Sequence, residues 1–284
     1  MNSYEKLLNK IKDFARLGAK VETVGASVSG LPIKSVAVGL GKTKIIVTAS
    51  IHAREFITTA LCLKQIEYTL AHPPNAQIYF LPCVNPDGAV LFNDGDGYFS
   101  AETAQRLRKI NGSNDYSLYK ANANGVDLNV NFPARWSTGK QNRFSPSSES
   151  FVGFAPLDQP ESRALVRYTE KIQPHGTISY HAKGQIVYWY FHQKQAERDE
   201  IIAKRVAQKL GYALGKNYTD SAGGYKDYCI EKLSIPALTL EIIPDGYSHP
   251  LPSKALGRGE IEKNLDLPQY FAKLIEEVSN GKND

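Results

Sequence analysis

The feature that most constrains the fold is the alternation of short apolar runs with longer helical segments along the chain. Four runs are continuous in their apolar character, as buried strands of a covered sheet are. These runs occupy residues 44–50, 76–84, 176–180 and 237–243. Strands that alternate with helices form a mostly parallel sheet that is covered by helices on both faces. The sequence therefore predicts an α/β fold whose functional residues gather at the carboxyl ends of its strands.

The segments between these runs complete the prediction of a single domain over 1–284. Residues 1–20 are expected to form an N-terminal helix packed on that domain, and 21–39 to form two strands joined by a Gly-Leu-Pro turn. Asn-Pro-Asp-Gly at 85–88 predicts a turn, and 91–157, which is rich in Asn, Gly, Ser and Asp, predicts long irregular loops. Further helices are predicted over 56–71, 158–172, 194–214 and 254–279, with a strand over 185–191 and a short helix after the glycine loop at 221–227.

Composition and charge indicate which kinds of molecule the protein is expected to bind. The chain has 284 residues, a net charge of +5, 42% apolar residues and 22% charged residues, which is ordinary for a globular protein. It has no basic run interleaved with aromatic residues, so we expect no nucleic-acid partner. We also expect no membrane association, because no segment reaches the length of a membrane span and residues 1–20 lack the apolar region of a signal peptide. Cys62, Cys83 and Cys229 are widely spaced among apolar residues, so we expect reduced, buried thiols and a cytoplasmic protein.

A His and a Glu stand three residues apart directly after the run at 44–50. Where this strand gives way to a turn, His52 and Glu55 can direct an imidazole and a carboxylate at one metal ion. His181 stands in a similar position, after the run at 176–180. Two His and one Glu are the ligand set of a catalytic zinc ion whose fourth position is left open for water. The spacing alone also arises by chance in many proteins, so it needs support from the rest of the chain.

That support comes from Glu241, which lies inside the apolar run at 237–243. A carboxylate in a buried strand is costly unless it has a partner. Burial raises the pKa of such a carboxyl group toward neutrality, which suits a general base that passes a proton from water to a leaving amine. The alternative is a structural carboxylate at the end of a strand. The metal-binding pattern elsewhere in the chain favours the general base.

Five motifs, in this order, resemble the zinc carboxypeptidases of the pancreatic carboxypeptidase A type over essentially the whole chain. They are HARE (52–55), VNPDG (84–88), GVDLN (125–129), the lone His181 after a strand, and TLE (239–241). The resemblance implies that His52, Glu55 and His181 bind one zinc ion and that Glu241 is the catalytic carboxylate. It also implies a three-layer α/β/α fold around a mixed, mostly parallel eight-stranded sheet.

The resemblance also assigns substrate contacts, and here the chain departs from the pattern. Arg54 is expected to hold carbonyl or carboxylate groups of the substrate, and a surface ion pair is the alternative for an arginine in a turn. In true carboxypeptidases the Asn of the GVDLN motif is followed by an Arg that grips the terminal carboxylate through two parallel hydrogen bonds. Here Asn129 is followed by Val130, which has no donor. Trimming of ordinary C-terminal residues is therefore disfavoured.

Within the family, the chain is similar to the bacterial γ-D-glutamyl-diaminopimelate peptidases, which cut cell-wall peptides. The similarity lies in 120–136, 181–189 and 221–228. Lys183 is expected either at a substrate carboxylate or in solvent. Gly223, with its neighbour Gly224, permits either a close approach of the backbone to a ligand or a tight turn.

The resemblance implies a cation that stabilises the tetrahedral oxyanion, and three residues are candidates. Lys120 is the first choice, and Arg106 or Arg108 is the alternative, because loop lengths differ from those of pancreatic relatives.

The sequence thus predicts a zinc metallopeptidase. Its expected substrate is a murein peptide, cut between γ-D-glutamate and meso-diaminopimelate. The alternatives are a zinc carboxypeptidase of different C-terminal specificity and an amino-acid deacylase on the same fold. A non-catalytic peptide-binding module is disfavoured because all three metal ligands and Glu241 are present.

Overall fold

An eight-stranded mixed sheet forms the centre of the structure, a computed structural model that describes residues 1–215 and 220–281. The remaining positions of the expected domain, 216–219 and 282–284, lie outside the described residues. The strands are β1 (Lys20–Ala26), β2 (Pro32–Val38), β3 (Lys44–Thr48), β4 (Gln77–Leu81), β5 (Gly176–His181), β6 (Ile186–Tyr188), β7 (Ala213–Leu214) and β8 (Ala237–Glu241). The helices are α1 (Ser3–Arg16), α2 (Ile57–Ala71), α3 (Pro86–Asp94), α4 (Ala101–Asn111), α5 (Pro160–Ile172), α6 (Ala196–Leu210), α7 (Tyr225–Leu233), α8 (Arg258–Asn264) and α9 (Leu267–Ser279).

The strand order is β1-β2-β4-β3-β5-β8-β6-β7. The pairs β3–β4, β3–β5, β5–β8 and β6–β7 are parallel, and the other three pairs are antiparallel. This mixed, mostly parallel sheet confirms the predicted fold class. The parallel centre brings the carboxyl ends of β3, β5 and β8 to one edge, where His181 lies opposite Glu241 in the register of β5 and β8.

The two faces of the sheet are covered by different helices. In β3, Ile45 and Val47 belong to one apolar core, with side chains from α1, α2, α6 and α9. The intervening Ile46 belongs to a second core, with side chains from α5 and α7. Successive strand residues point to opposite faces, so a strand that is apolar throughout needs cover on both sides. The result is the predicted three-layer α/β/α arrangement.

The N-terminal helix α1 is specified locally and then packed by its apolar stripe. Asn2 and Glu5 form a reciprocal capping box at its start. Leu7, Ile11 and Phe14 recur at helical spacing and are buried. The helix lies against β1, β2 and α3.

Two predictions for the middle of the chain are wrong. The sequence at 85–88 begins helix α3 rather than forming a turn alone, because Asn85 caps the helix through Gly88 N–H at 2.9 Å and Pro86 stands in its first turn. The predicted loop region 91–157 contains the end of α3 and the whole of α4. Helix α4 is capped by Ser100, and its weak apolar pattern buries only Ala104 and Leu107 among its residues, so the sequence gives little sign of it.

Several boundaries also differ from the prediction, as the following examples show. The strand expected over 185–191 is paired only at Ile186–Tyr188. The helix expected over 194–214 ends at Leu210, because Gly211 takes a left-handed conformation with φ +68° and the chain continues into β7. The strand expected over 237–243 ends at Glu241.

Two further observations concern the state of the cysteines and the length of the helices. Cys62, Cys83 and Cys229 are free and buried, as expected. Of the helices in the described part of the chain, none is long and apolar enough to cross a membrane.

Candidate active site

A cavity of about 730 Å³ lies where the carboxyl ends of β5 and β8 meet the loop after β3. His52, Glu55, His181 and Glu241 all line it. The position agrees with the rule that parallel sheets carry their sites at the carboxyl edge. These four residues come from three separate parts of the sequence, and the fold brings those parts to one cavity.

The first two predicted ligands are placed by a turn that follows β3. His52 has an extended backbone, and a single turn of 3₁₀ helix over Ala53–Glu55 then brings the Glu55 side chain back toward it. The N–H groups of Ala53 and Arg54 donate to the carbonyl oxygens of Lys120 and Tyr119, at 3.1 and 2.9 Å. This turn is therefore fixed to the loop that also supplies Lys120.

The side chains of His52, Glu55 and His181 converge on one point. Nδ1 of His52 lies 2.9 Å from Oε1 of Glu55, and Nδ1 of His181 lies 3.0 Å from Oε2 of the same carboxylate. The two Nδ1 atoms are 3.1 Å apart. All three residues are buried, and their ligand atoms lie within 4.8 Å of one another. Two imidazole nitrogens and a carboxylate that face each other in this way fit a divalent metal ion.

Asp127 orients His52 from behind. Its Oδ1 accepts a hydrogen bond from Nε2 of His52 at 3.1 Å, which leaves Nδ1 directed at the metal position. Its Oδ2 lies 3.1 Å from Nζ of Lys120. Burial raises the pKa of Asp127, but the charges of Lys120 and His52 outweigh burial, so the pKa is lowered. Asp127 is therefore a fixed anion.

Glu241 is a group in this cavity that the fold leaves unsatisfied. Its Oε2 is buried and has no hydrogen-bond partner within the described residues. Burial, and then the negative charge of Glu55, raise the pKa of Glu241 to about 8. A bound cation at the neighbouring triad would offset the repulsion from Glu55. The carboxylate is free to accept a proton from a group in the cavity.

Comparison with known proteins identifies the family. A model described as zinc carboxypeptidase matches residues 4–262 of the chain. The chain belongs to the zinc carboxypeptidase family. The zinc of this family and the His-Glu-His triad confirm the predicted cofactor, and the protein is a zinc metallopeptidase.

Similar proteins agree with this family. The gamma-D-glutamyl-L-diamino acid endopeptidase 1 of Lysinibacillus sphaericus is 30% identical over 267 residues, which cover 88% of this chain and 67% of that protein. Bovine thrombin-activatable fibrinolysis inhibitor, solved with a tick carboxypeptidase inhibitor, has a TM-score of 0.78 at 19% identity, and the match covers 98% of this chain and 97% of that one. A murein-tripeptide amidase from Escherichia coli O157 has a TM-score of 0.56 at 22% identity, over 90% of this chain and 95% of that one. At these identities the two structures establish the fold.

Lys120 is the predicted oxyanion cation that lines the cavity of this zinc metallopeptidase. Burial lowers the pKa of Lys120, but Asp127 and Glu55 outweigh burial and raise it, so the ammonium group stays charged. The alternatives lie on α4, outside the cavity wall. Arg106 donates to Asn124 and to the carbonyl of Ala123, and Arg108 pairs with Asp96.

Arg54, Asn129 and Val130 also line the cavity. Nη1 of Arg54 donates to the carbonyl of Leu118 at 3.2 Å, and its Nε is buried without a partner in the described part of the chain. Oδ1 of Asn129 accepts from the N–H of Tyr225 at 3.1 Å. Val130 is half-buried and gives this part of the wall an apolar surface.

Two predicted substrate contacts are not part of the cavity wall. Nζ of Lys183 lies 3.3 Å from Oδ1 of Asp245, outside the lining of the cavity. Gly223 has φ +84°, and a Cβ atom there would lie 2.8 Å from the carbonyl oxygen of Val130. This glycine is needed for the approach of one backbone segment to another, and its neighbour Gly224 lines the cavity instead.

The sequence alone assigns no role to several residues of the site. Asp127 lies within the GVDLN motif, and a carboxylate between Val126 and Leu128 is a signal that a buried partner is present. Lys226 lies within the stretch 221–228 and lines the cavity. Trp189 lines it as well, beyond the end of β6. No local sequence signal distinguishes Lys226 from a solvated lysine or Trp189 from a packed core residue.

Proposed function

We propose that this zinc metallopeptidase hydrolyses the bond between γ-D-glutamate and meso-diaminopimelate in murein peptides. The observation that carries the substrate assignment is Val130, which presents an apolar wall to the cavity. An ordinary C-terminal carboxylate gains no paired hydrogen bonds from it. The named activity of the Lysinibacillus sphaericus relative, on a γ-D-glutamyl bond to a diamino acid, supports the same assignment.

The proton transfers are assigned to Glu241. Its unpartnered carboxylate takes a proton from the attacking water and returns it to the amine as the amide bond breaks. Burial and the charge of Glu55 raise the pKa of Glu241, and the positive charge of zinc at the triad would lower it and favour the carboxylate form that accepts the proton. When bound to His52, Glu55 and His181, zinc supplies Lewis acidity that polarises the carbonyl group.

We assign to two cations the stabilisation of the negative charge that develops on the carbonyl oxygen in the transition state. Lys120 is held by Asp127 at 3.1 Å, so its ammonium group is fixed before the substrate arrives. Arg54 carries an unpartnered buried Nε among the residues described. A charge held in place stabilises the transition state more than one that must reorganise.

We further propose that the protein works in the cytoplasm. The support is the set of three free, buried cysteines, since structural disulfides are usual in oxidising compartments. Fractionation of cells that produce the protein tests this, and recovery outside the cytoplasm would contradict it.

Product analysis tests the proposed reaction. The zinc-loaded protein is incubated with L-Ala-γ-D-Glu-meso-diaminopimelate, and separately with peptides that end in Phe, Leu, Arg or Lys. We expect mass spectrometry to show released diaminopimelate and little trimming of the ordinary peptides. Efficient trimming without γ-D-glutamyl cleavage would favour a carboxypeptidase of different specificity, and release of an acyl group alone would favour a deacylase.

A further inference from the structure

We infer that the part of the cavity lined by Lys226 is a subsite for the carboxylate at the far end of the diamino-acid side chain. This inference rests on the proposed function. Lys226 lies in the first turn of α7, and its side chain is 11% exposed. It lines the same cavity as Glu241.

The ammonium group of Lys226 keeps one donor for a ligand. Nζ donates to the carbonyl oxygen of Tyr190 at 3.0 Å and to Oδ1 of Asp227 at 2.6 Å. An ammonium group has three donors. Because Tyr190 and Asp227 take two of them, the third can meet a carboxylate in the cavity.

The cavity wall suits an aliphatic stem with a polar end. Ile186, Leu214 and Trp189 line the same cavity as Lys226. Nε1 of Trp189 is buried and has no hydrogen-bond partner in the portion of the chain that is described. This N–H group is a second donor without an acceptor among the described residues. Burial of such a donor costs free energy unless a ligand or a water molecule accepts its hydrogen bond.

The charge of Lys226 matches the carboxylate at the end of the diamino-acid side chain. The side chain of meso-diaminopimelate consists of methylene groups that end in a carbon bearing an ammonium and a carboxylate. Lys226 presents a cation for the carboxylate. Asp227 is already engaged, because its Oδ1 accepts from Lys226 at 2.6 Å and its Oδ2 accepts from the N–H of Gly224 at 3.0 Å. A lysine side chain has the ammonium but lacks the carboxylate, so it gains nothing from Lys226.

Two substrates that differ in this carboxylate give the test. Release of the third residue is measured from L-Ala-γ-D-Glu-meso-diaminopimelate and from L-Ala-γ-D-Glu-L-Lys, with wild type and Lys226→Met. We expect the variant to lose about 10- to 100-fold in kcat/KM on the diaminopimelate peptide, as for loss of a charge-assisted hydrogen bond. On the lysine peptide we expect a change of less than about threefold, because the lysine side chain has no carboxylate for Lys226 to bind.

Two further variants separate recognition from structure. Lys226→Arg keeps the cation and should restore much of the preference. Lys232→Met removes a lysine from the same helix that is 48% exposed and should change neither substrate. Equal losses on both peptides in Lys226→Met would overturn the subsite while leaving the proposed function intact. No γ-D-glutamyl cleavage by wild type would overturn both.

Discussion

Glu241 carries both proton transfers of the proposed reaction, and a single substitution removes that capacity. We predict that Glu241→Gln retains zinc but loses turnover by a factor on the order of 10³, because an amide cannot accept the proton from water. Turnover and zinc content are measured on the same preparation. Near-normal turnover would make Glu241 a structural residue.

Val130 gives a second prediction at this scale. Val130→Arg places a guanidinium group in the cavity wall, and a charge-assisted pair with a terminal carboxylate contributes about 1.5–3 kcal/mol. We therefore expect kcat/KM for an ordinary peptide ending in Phe to rise by roughly tenfold or more. Val130→Met adds length without charge and serves as the control. An equal rise in both variants would show that charge is not the cause.

Some site residues can be predicted singly from the sequence and others cannot. His52, Glu55 and His181 follow apolar runs and Glu241 lies inside one, so each of these polar residues is visible in the sequence. Asp127 contacts His52 across 75 positions of sequence, and that pairing depends on how the loop over the site folds. The role proposed for Lys226 likewise comes from the cavity that it lines.

At the scale of elements, a buried carboxylate joins the β1–β2 connection to α5. Glu161 accepts hydrogen bonds from the N–H of Val28 at 3.2 Å and from Nδ2 of Asn122 at 3.1 Å. Burial, and then the negative charge of Asp87, raise the pKa of Glu161 from 4.5 to about 7. The folded protein thus holds this proton more tightly than the unfolded chain does.

The direction of the pH effect follows from that difference. Stability from Glu161 is fully present below pH 4.5 and is lost as the pH rises to about 7. The loss is on the order of 3 kcal/mol. We predict that Glu161→Gln flattens this part of the stability curve in urea unfolding measured across this pH range. Glu197→Gln, at an exposed position of α6, is the control, and parallel curves for wild type and Glu161→Gln would contradict the prediction.

The helices show what local sequence can specify. Helix α1 has a capping box and a clear apolar stripe, so the sequence predicts it. Asn85 and Pro86 are residues of both turns and helix starts, and only the packing of α3 decides between them. Helix α4 has few buried residues, which leaves little periodicity to detect.

At the scale of the whole molecule, the fold class follows from the alternation of strands and helices. The strand order does not, because β4 lies between β2 and β3 and β8 lies between β5 and β6. That order is set by long-range packing, and it brings His181 and Glu241 to neighbouring strands.

The zinc content of purified protein tests the whole arrangement most directly. We predict about one zinc ion per chain for wild type and for Glu241→Gln, because the triad supplies three protein ligands and Glu241 is separate from it. His52→Ala and His181→Ala should lose the metal. Full zinc occupancy in both histidine variants would contradict the assignment of the metal site.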